Sequence, residues 1–109
     1  MASEPKLSVL IPTLNRGQLF HDTVSQCLDQ SYGDFELILV DQSDPEQEAA
    51  NRAFVASLKD KRIRYMHLPV KGLPNARNEG MAVAQGEVWL FLDDDVILLG
   101  DVFEAHMAC

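Results

Sequence analysis

The run Val88-Trp89-Leu90-Phe91-Leu92 is apolar throughout and stops against three adjacent carboxylates, Asp93, Asp94 and Asp95. A run this apolar reads as a strand buried on both faces, the kind found in a parallel sheet covered by helices. Adjacent carboxylates repel one another and call for a neutralising partner. An all-oxygen cluster suits a divalent cation such as Mg²⁺ or Mn²⁺, which would in turn hold a phosphate. One aspartate at that place would read instead as a helix cap or a solvated turn.

The same theme recurs along the chain. Leu7 to Thr13 is an apolar run broken by Pro12, and Phe35 to Leu39, Val40 and Asp41 form another that closes on a carboxylate. Between them, Gly17 to Gln30 places Phe20, Val24, Cys27 and Leu28 on one helical face. Asp44-Pro45-Glu46-Gln47 reads as a helix start with an N-cap, a proline at the first position and a capping-box glutamine; Ala50, Phe54 and Leu58 supply the apolar stripe. Ile63 to Leu68 ends at Pro69, as a strand nearer the sheet edge would. Pro74 opens a third helical pattern whose Ala76, Gly80 and Ala84 form a small-residue face, with Gly86 placed to end it in a left-handed turn. Gly100-Asp101 before Val102-Phe103 starts a further helix. Strand and helix thus alternate, which predicts an α/β domain with a mainly parallel four-stranded sheet and helices on both faces.

Ligands of such sheets bind beyond the carboxyl ends of the strands. That rule gathers Thr13, Asn15, Asp41 and Asp93 to Asp95 along one rim, with Arg16, Lys71 and Arg77 as cationic partners for the phosphates of a metal-bound nucleotide.

Composition narrows the alternatives. The 109 residues make one domain at most, and 47% hydrophobic with 24% charged residues is ordinary for a globular fold. Nine basic against seventeen acidic residues give a net charge of -8, which argues against nucleic acid as a partner. The basic stretch Lys59, Lys61, Arg62 and Arg64 reads as a solvated helix end. Cys27 and Cys109 suggest neither a metal knuckle nor a disulfide framework, so a reducing compartment is expected. No segment is long and apolar enough to span a bilayer, and the expected place is the cytoplasm or the inner face of the membrane. His21, His67 and His106 read as packing or surface residues.

Four motifs follow one another at strand and helix ends: Pro12-Thr13-Leu14-Asn15-Arg16, Val40-Asp41-Gln42-Ser43, Ala76-Arg77-Asn78-Glu79-Gly80 and Phe91-Leu92-Asp93-Asp94-Asp95. Over nearly its whole length the chain resembles the family 2 glycosyltransferases of the GT-A fold. The resemblance implies a Rossmann-like half domain, residues 1–109, that binds a nucleoside-diphosphate sugar. It places Asp93 to Asp95 at the D-x-D position, with Asp95 and Asp93 toward a Mn²⁺ or Mg²⁺ ion and Asp93 or Asp94 toward the ribose or a metal-bound water. Asp41 is implied to contact the base, Thr13, Asn15 and Arg16 to line the nucleotide pocket, and Arg77 to lie near the acids or the diphosphate. The implied reaction is inverting transfer of a sugar to an acceptor hydroxyl. Its general base is expected in a second half of the domain, so no catalytic residue is assigned in this chain.

Two positions depart from the family pattern: Leu14, where an aromatic is frequent, and Gln42, where a second acid is frequent. Rival folds that gather acids at strand ends fit less well. A nucleotidyltransferase wants a glycine-rich loop after the first strand, and a receiver or an aspartyl phosphatase wants its acids there, where this chain has Pro12 and Thr13. A fragment without the second half could also be a non-catalytic module. It would bind nucleotide, or self-associate as a homo-oligomer through the bare edge of the strand that carries Trp89 and Phe91.

Overall fold

A computed structural model describes residues 5–108; Cys109 lies outside them. Strands β1 (Leu7–Thr13), β2 (Phe35–Asp41), β3 (Ile63–His67) and β4 (Val88–Phe91) alternate with helices α1 (Gln18–Leu28), α2 (Pro45–Leu58), α3 (Leu73–Val83) and α4 (Val102–Ala108). The sheet is parallel with order β3-β2-β1-β4. β2 is buried at every position and β1 at all but Pro12, as central strands must be when helices cover both faces.

Strand alternation sorts the side chains. Leu7, Val9, Ile11, Leu37 and Leu39 pack with Phe20, Val24 and Cys27 of α1 and with Phe103 of α4. Leu10, Ile38 and Val40 point to the other face, against Ala76 of α3. A Cβ on Gly80 would stand 2.8 Å from Leu10 Cδ2, so the small-residue face of α3 does let that helix lie close to the sheet. Burial pushes the Cys27 thiol up to about 12, and it behaves as a small apolar side chain.

Two local expectations are corrected. Gly86 does not close α3 in a left-handed turn; the C-cap is Ala84, in extended conformation. Glycine is needed there because a Cβ would lie 2.7 Å from the Ser8 backbone nitrogen, while Gly86 N–H donates to Ser8 Oγ at 2.8 Å. Asp44 is the N-cap residue of α2, yet it makes no capping hydrogen bond. Its carboxylate accepts from Asn15 and Lys71 instead, and Gln47 turns to Asn51. The basic stretch is divided among local partners: Arg62 pairs with Asp60 at 2.8 Å and Arg64 with Glu36 at 3.0 Å.

Candidate functional site

β1 is followed in the sheet by β2 on one side and β4 on the other, so the chain reverses direction across the sheet at β1. A crevice is expected at the carboxyl ends of strands at such a point. A cleft of about 500 Å³ opens there. Its walls are Pro12 and Thr13 at the end of β1, Leu14 and Arg16 after it, Gln42 after β2, Gly72 and Leu73 at the start of α3, and Asp93 to Asp95 after β4.

The three acids do not share one environment. Alternation carries past the end of β4, so that Asp94 turns inward and is 7% exposed while Asp93 and Asp95 are exposed at the cleft. Asp94 Oδ2 accepts from Thr13 Oγ1 at 2.8 Å, and its Oδ1 lies 3.5 Å from Arg16 Nε. Burial raises the Asp94 carboxyl above the usual carboxylate range, with Thr13 and Arg16 opposing and the Asp95 charge adding to the rise. The Arg16 guanidinium bridges to Asp95 Oδ2 at 3.7 Å, so one cation serves two neighbouring carboxylates. Among the described residues no group of three His, Cys, Asp or Glu side chains forms a metal cage. The donor set at the cleft mouth is therefore two exposed carboxylates, Asp93 and Asp95. It fits a hard cation that takes its remaining ligands from water and phosphate oxygens.

Asp41 stands elsewhere. It is fully buried on the α1 and α2 side, where Oδ1 accepts the Ser43 N–H at 2.9 Å and Oδ2 accepts from Asn51 Nδ2 at 3.0 Å and from the Tyr65 hydroxyl. Burial alone would raise it, but the hydrogen bonds from Ser43, Tyr65 and Asn51 outweigh burial and hold its carboxyl below the usual range. Behind it, Asn51 Oδ1 accepts from Gln47 Nε2 at 2.9 Å and from His21 Nε2 at 2.8 Å, and His21 stacks on Phe54 with centroids 4.1 Å apart. His21 is thus a packing residue.

Nor do Asn15 and Arg77 line the cleft. Asn15, in a left-handed conformation with φ 54°, joins the loop after β1 to the loop after β2: its N–H donates to Ser43 Oγ at 2.8 Å, and its amide exchanges two bonds of 3.0 Å with Asp44. Arg77 lies over the Phe91 ring, 5.9 Å from its centroid. Lys71 is paired with Asp44 at 2.6 Å.

The residue that does face the cleft from β2 is Gln42. Its Nε2 donates to Val70 O at 2.8 Å and Gly72 O at 3.0 Å, which commits both amide protons and leaves Oε1 as the acceptor it can offer. The signal was present in the sequence, since consecutive residues at a strand end point to opposite faces and Asp41 belongs to the face of Leu37 and Leu39. Thr23, fully buried on α1 with Oγ1 3.1 Å from Asp94 O, was not foreseen.

A family model described as "Glycosyl transferase family 2" matches residues 8–108. A Campylobacter jejuni protein named GalNAc(5)-diNAcBac-PP-undecaprenol beta-1,3-glucosyltransferase is 35% identical over 107 residues, which is 94% of this chain and 34% of that one. In fold the chain is similar to a mannosyltransferase from Pyrobaculum calidifontis, solved in complex with GDP-Man and Mn²⁺, with a TM-score of 0.83 at 22% identity over 98% of this chain and 32% of that one. It is likewise similar to Staphylococcus aureus TarS 1–349 in complex with UDP-GlcNAc, with a TM-score of 0.82 at 24% identity over 94% of this chain and 30% of that one. The chain spans less than half the length of the curated relatives it matches.

Proposed function

Because the chain belongs to glycosyl transferase family 2, we propose that it supplies the nucleotide-sugar-binding half of a transferase that moves a sugar from a nucleoside diphosphate to an acceptor hydroxyl. The observation that carries this reading is the cleft at the reversal point of the sheet. There Thr13 and Arg16 hold Asp94 inward while Asp93 and Asp95 are exposed at the cleft, Asp95 beside Arg16. The complex of a similar fold with GDP-Man and Mn²⁺ supports it.

In this reading Asp95 and Asp93 hold Mn²⁺ or Mg²⁺ together with diphosphate oxygens. The ion offsets the charge that gathers on the leaving diphosphate. Asp94 orients the acidic turn, and Arg16 exchanges its partner Asp95 for a phosphate oxygen. Gln42 takes the base-facing place in preference to Asp41, because Asp41 is saturated by Ser43, Asn51 and Tyr65. Leu14 and Leu73 give the base an apolar wall, and Asn15 keeps the loops after β1 and β2 together. Arg77 is the nearest α3 candidate for the diphosphate only if it leaves Phe91. The general base for an inverting transfer belongs to a part of the protein beyond this half.

Calorimetric titration of UDP, GDP and dTDP, with and without Mn²⁺, tests the reading on wild type and Asp95→Ala. Saturable binding that needs both the metal and Asp95 supports it; binding indifferent to both, or no binding of any of the three, overturns it.

The edge of β4 favours a second property. β4 pairs with β1 alone among the described strands, and Trp89 and Phe91 are 40% and 41% exposed. Self-association through this edge follows, and a sedimentation profile that stays monomeric at high concentration would dismiss it. No helix among the described residues is long and apolar enough to cross a membrane. A cytoplasmic place, peripheral to the inner membrane face, accords with the undecaprenol-linked name of the Campylobacter relative. Recovery in a membrane pellet from which high salt releases the protein is the expected fractionation.

A further inference from the structure

After the acidic triplet the chain runs to α4 without helix or strand, and side chains of α1 and of the residues just after it hold this stretch. Thr23 Oγ1 reaches Asp94 O at 3.1 Å and Val96 O at 3.4 Å. Gln26 Nε2 donates to Val96 O at 2.9 Å while its Oε1 accepts the Leu98 N–H at 2.7 Å. Gln30 repeats the pattern one turn on, with Nε2 donating to Gly100 O at 3.0 Å and Oε1 accepting the Phe103 N–H at 3.0 Å. Ser31 Oγ closes the series on Asp101 Oδ1 at 2.7 Å.

Thr23 and Gln26 lie three positions apart on one face of α1, and Gln30 stands just past its C-cap, Asp29. A glutamine amide offers one acceptor and an N–H donor side by side, as a peptide group does, so each glutamine pairs with the loop much as a neighbouring strand would. Glutamate has the acceptor without the donor, and methionine has the length without either. The bracketing begins at the carbonyl of Asp94 itself, directly under the acids that face the cleft.

We infer that Gln26 and Gln30 are positioning residues of the cleft: by fixing the backbone after Asp95 they set where Asp93 and Asp95 stand when a cation and a diphosphate enter. The inference rests on the nucleotide-sugar reading above. It assigns the two glutamines a role in metal-dependent affinity, beyond the packing of α4.

The test uses the 109-residue chain as wild type, Gln26→Met, Gln30→Met and Gln26→Glu. Binding of the nucleotide that wild type prefers is measured by calorimetry with and without Mn²⁺, and backbone amide exchange is followed by NMR. Each methionine variant removes two neutral hydrogen bonds to the loop, and Gln26→Met also the bond of Nε2 to Asp22 O, so metal-dependent affinity is expected to fall about tenfold. Metal-free affinity should stay unchanged while the Leu98 or Phe103 amide exchanges faster. Gln26→Glu, which keeps the bond to Leu98 N–H, should lie between. Variants that bind as tightly as wild type with Mn²⁺, or that lose affinity equally with and without it, overturn the inference. Should a methionine variant fail to fold, Gln26→Glu decides by the same comparison. If wild type binds no nucleotide, the donor-site reading falls by itself, and unchanged exchange at Leu98 and Phe103 would overturn the positioning role as well.

Discussion

The strands on either side of β1 both run into a buried aspartate, Asp41 at the end of β2 and Asp94 after β4, and the two carboxyls are driven in opposite directions. Asp41 meets donors from three elements, Ser43, Asn51 and Tyr65, and its charge is favoured in the fold. Asp94 has the hydroxyl of Thr13, a half-exposed Arg16 at 3.5 Å and a second carboxylate as its next neighbour. The lesson is that burial alone does not decide the role of a carboxylate. Where neutral donors saturate it, it is architecture; where like charges crowd it and donors are few, the site is left short of positive charge and open to a cation-bearing ligand.

Replacing Asp41 is the harshest way to break this contrast. Asp41→Ala strands the Ser43 N–H, the Asn51 amide and the Tyr65 hydroxyl in the interior, and a loss of about 3 kcal/mol of stability is expected. Urea unfolding would measure it, and a loss under about 1 kcal/mol would mean that Asp41 is not the keystone of the β2 end. On the other side, Asp95→Ala touches an exposed carboxylate and should leave unfolding within about 0.5 kcal/mol of wild type. Metal-dependent nucleotide affinity should nevertheless drop about a hundredfold, since in the proposed reading that carboxylate and the phosphates share the cation.

A smaller effect sharpens the contrast at Gln42, the neighbour of Asp41 that faces the cleft. With both protons committed to Val70 O and Gly72 O, its oxygen would, in the proposed reading, accept from a base with a ring N–H, as uracil and guanine have and cytosine lacks. Gln42→Ala should cut the preference for such a base over one without that donor about tenfold, read by competition between UDP and CDP. Equal loss for both nucleotides would show Gln42 shaping the loop and not reading the base.

Much of this was legible beforehand, for physical reasons that differ by element. Buried strands announce themselves because apolar runs such as Phe35 to Val40 have nowhere else to go, and the small face of Ala76 and Gly80 predicted how closely α3 lies. The acidic turn after β4 was evident from charge alone. What sequence spacing could not supply was which side chains bond across the fold: Asn15 with Asp44 across 29 positions, or Gln30 with Gly100 across 70. The motif read by residue type points to Asp41 for the base, whereas the two-residue period of a strand puts Gln42 on the opposite side, toward the cleft. Gly86 was misjudged because a close approach to Ser8 from a distant strand leaves no trace in local sequence.

The mildest perturbation bears most directly on the comparison, because it reverses sign between the two aspartates. Asp94 has a folded carboxyl raised above its unfolded value, so its protonated form is the one the fold favours. Its stabilising contribution is fully present below the unfolded value and is lost as pH rises through the raised folded value. Asp94→Asn imitates the protonated form and keeps an acceptor for Thr13, so at neutral pH it should raise stability by up to about 1 kcal/mol. That gain should shrink as pH falls through the raised value. Asp41 is lowered, so its contribution is present above the unfolded value and is lost as pH falls through the depressed one; Asp41→Asn should therefore cost most at neutral pH and least in acid. Parallel pH series of thermal unfolding for the two asparagine variants would show curves of opposite sign at neutral pH that converge in acid. Two curves of the same sign would mean that both strand ends are neutralised alike, and that the open charge at the β4 end belongs to Asp93 and Asp95 alone.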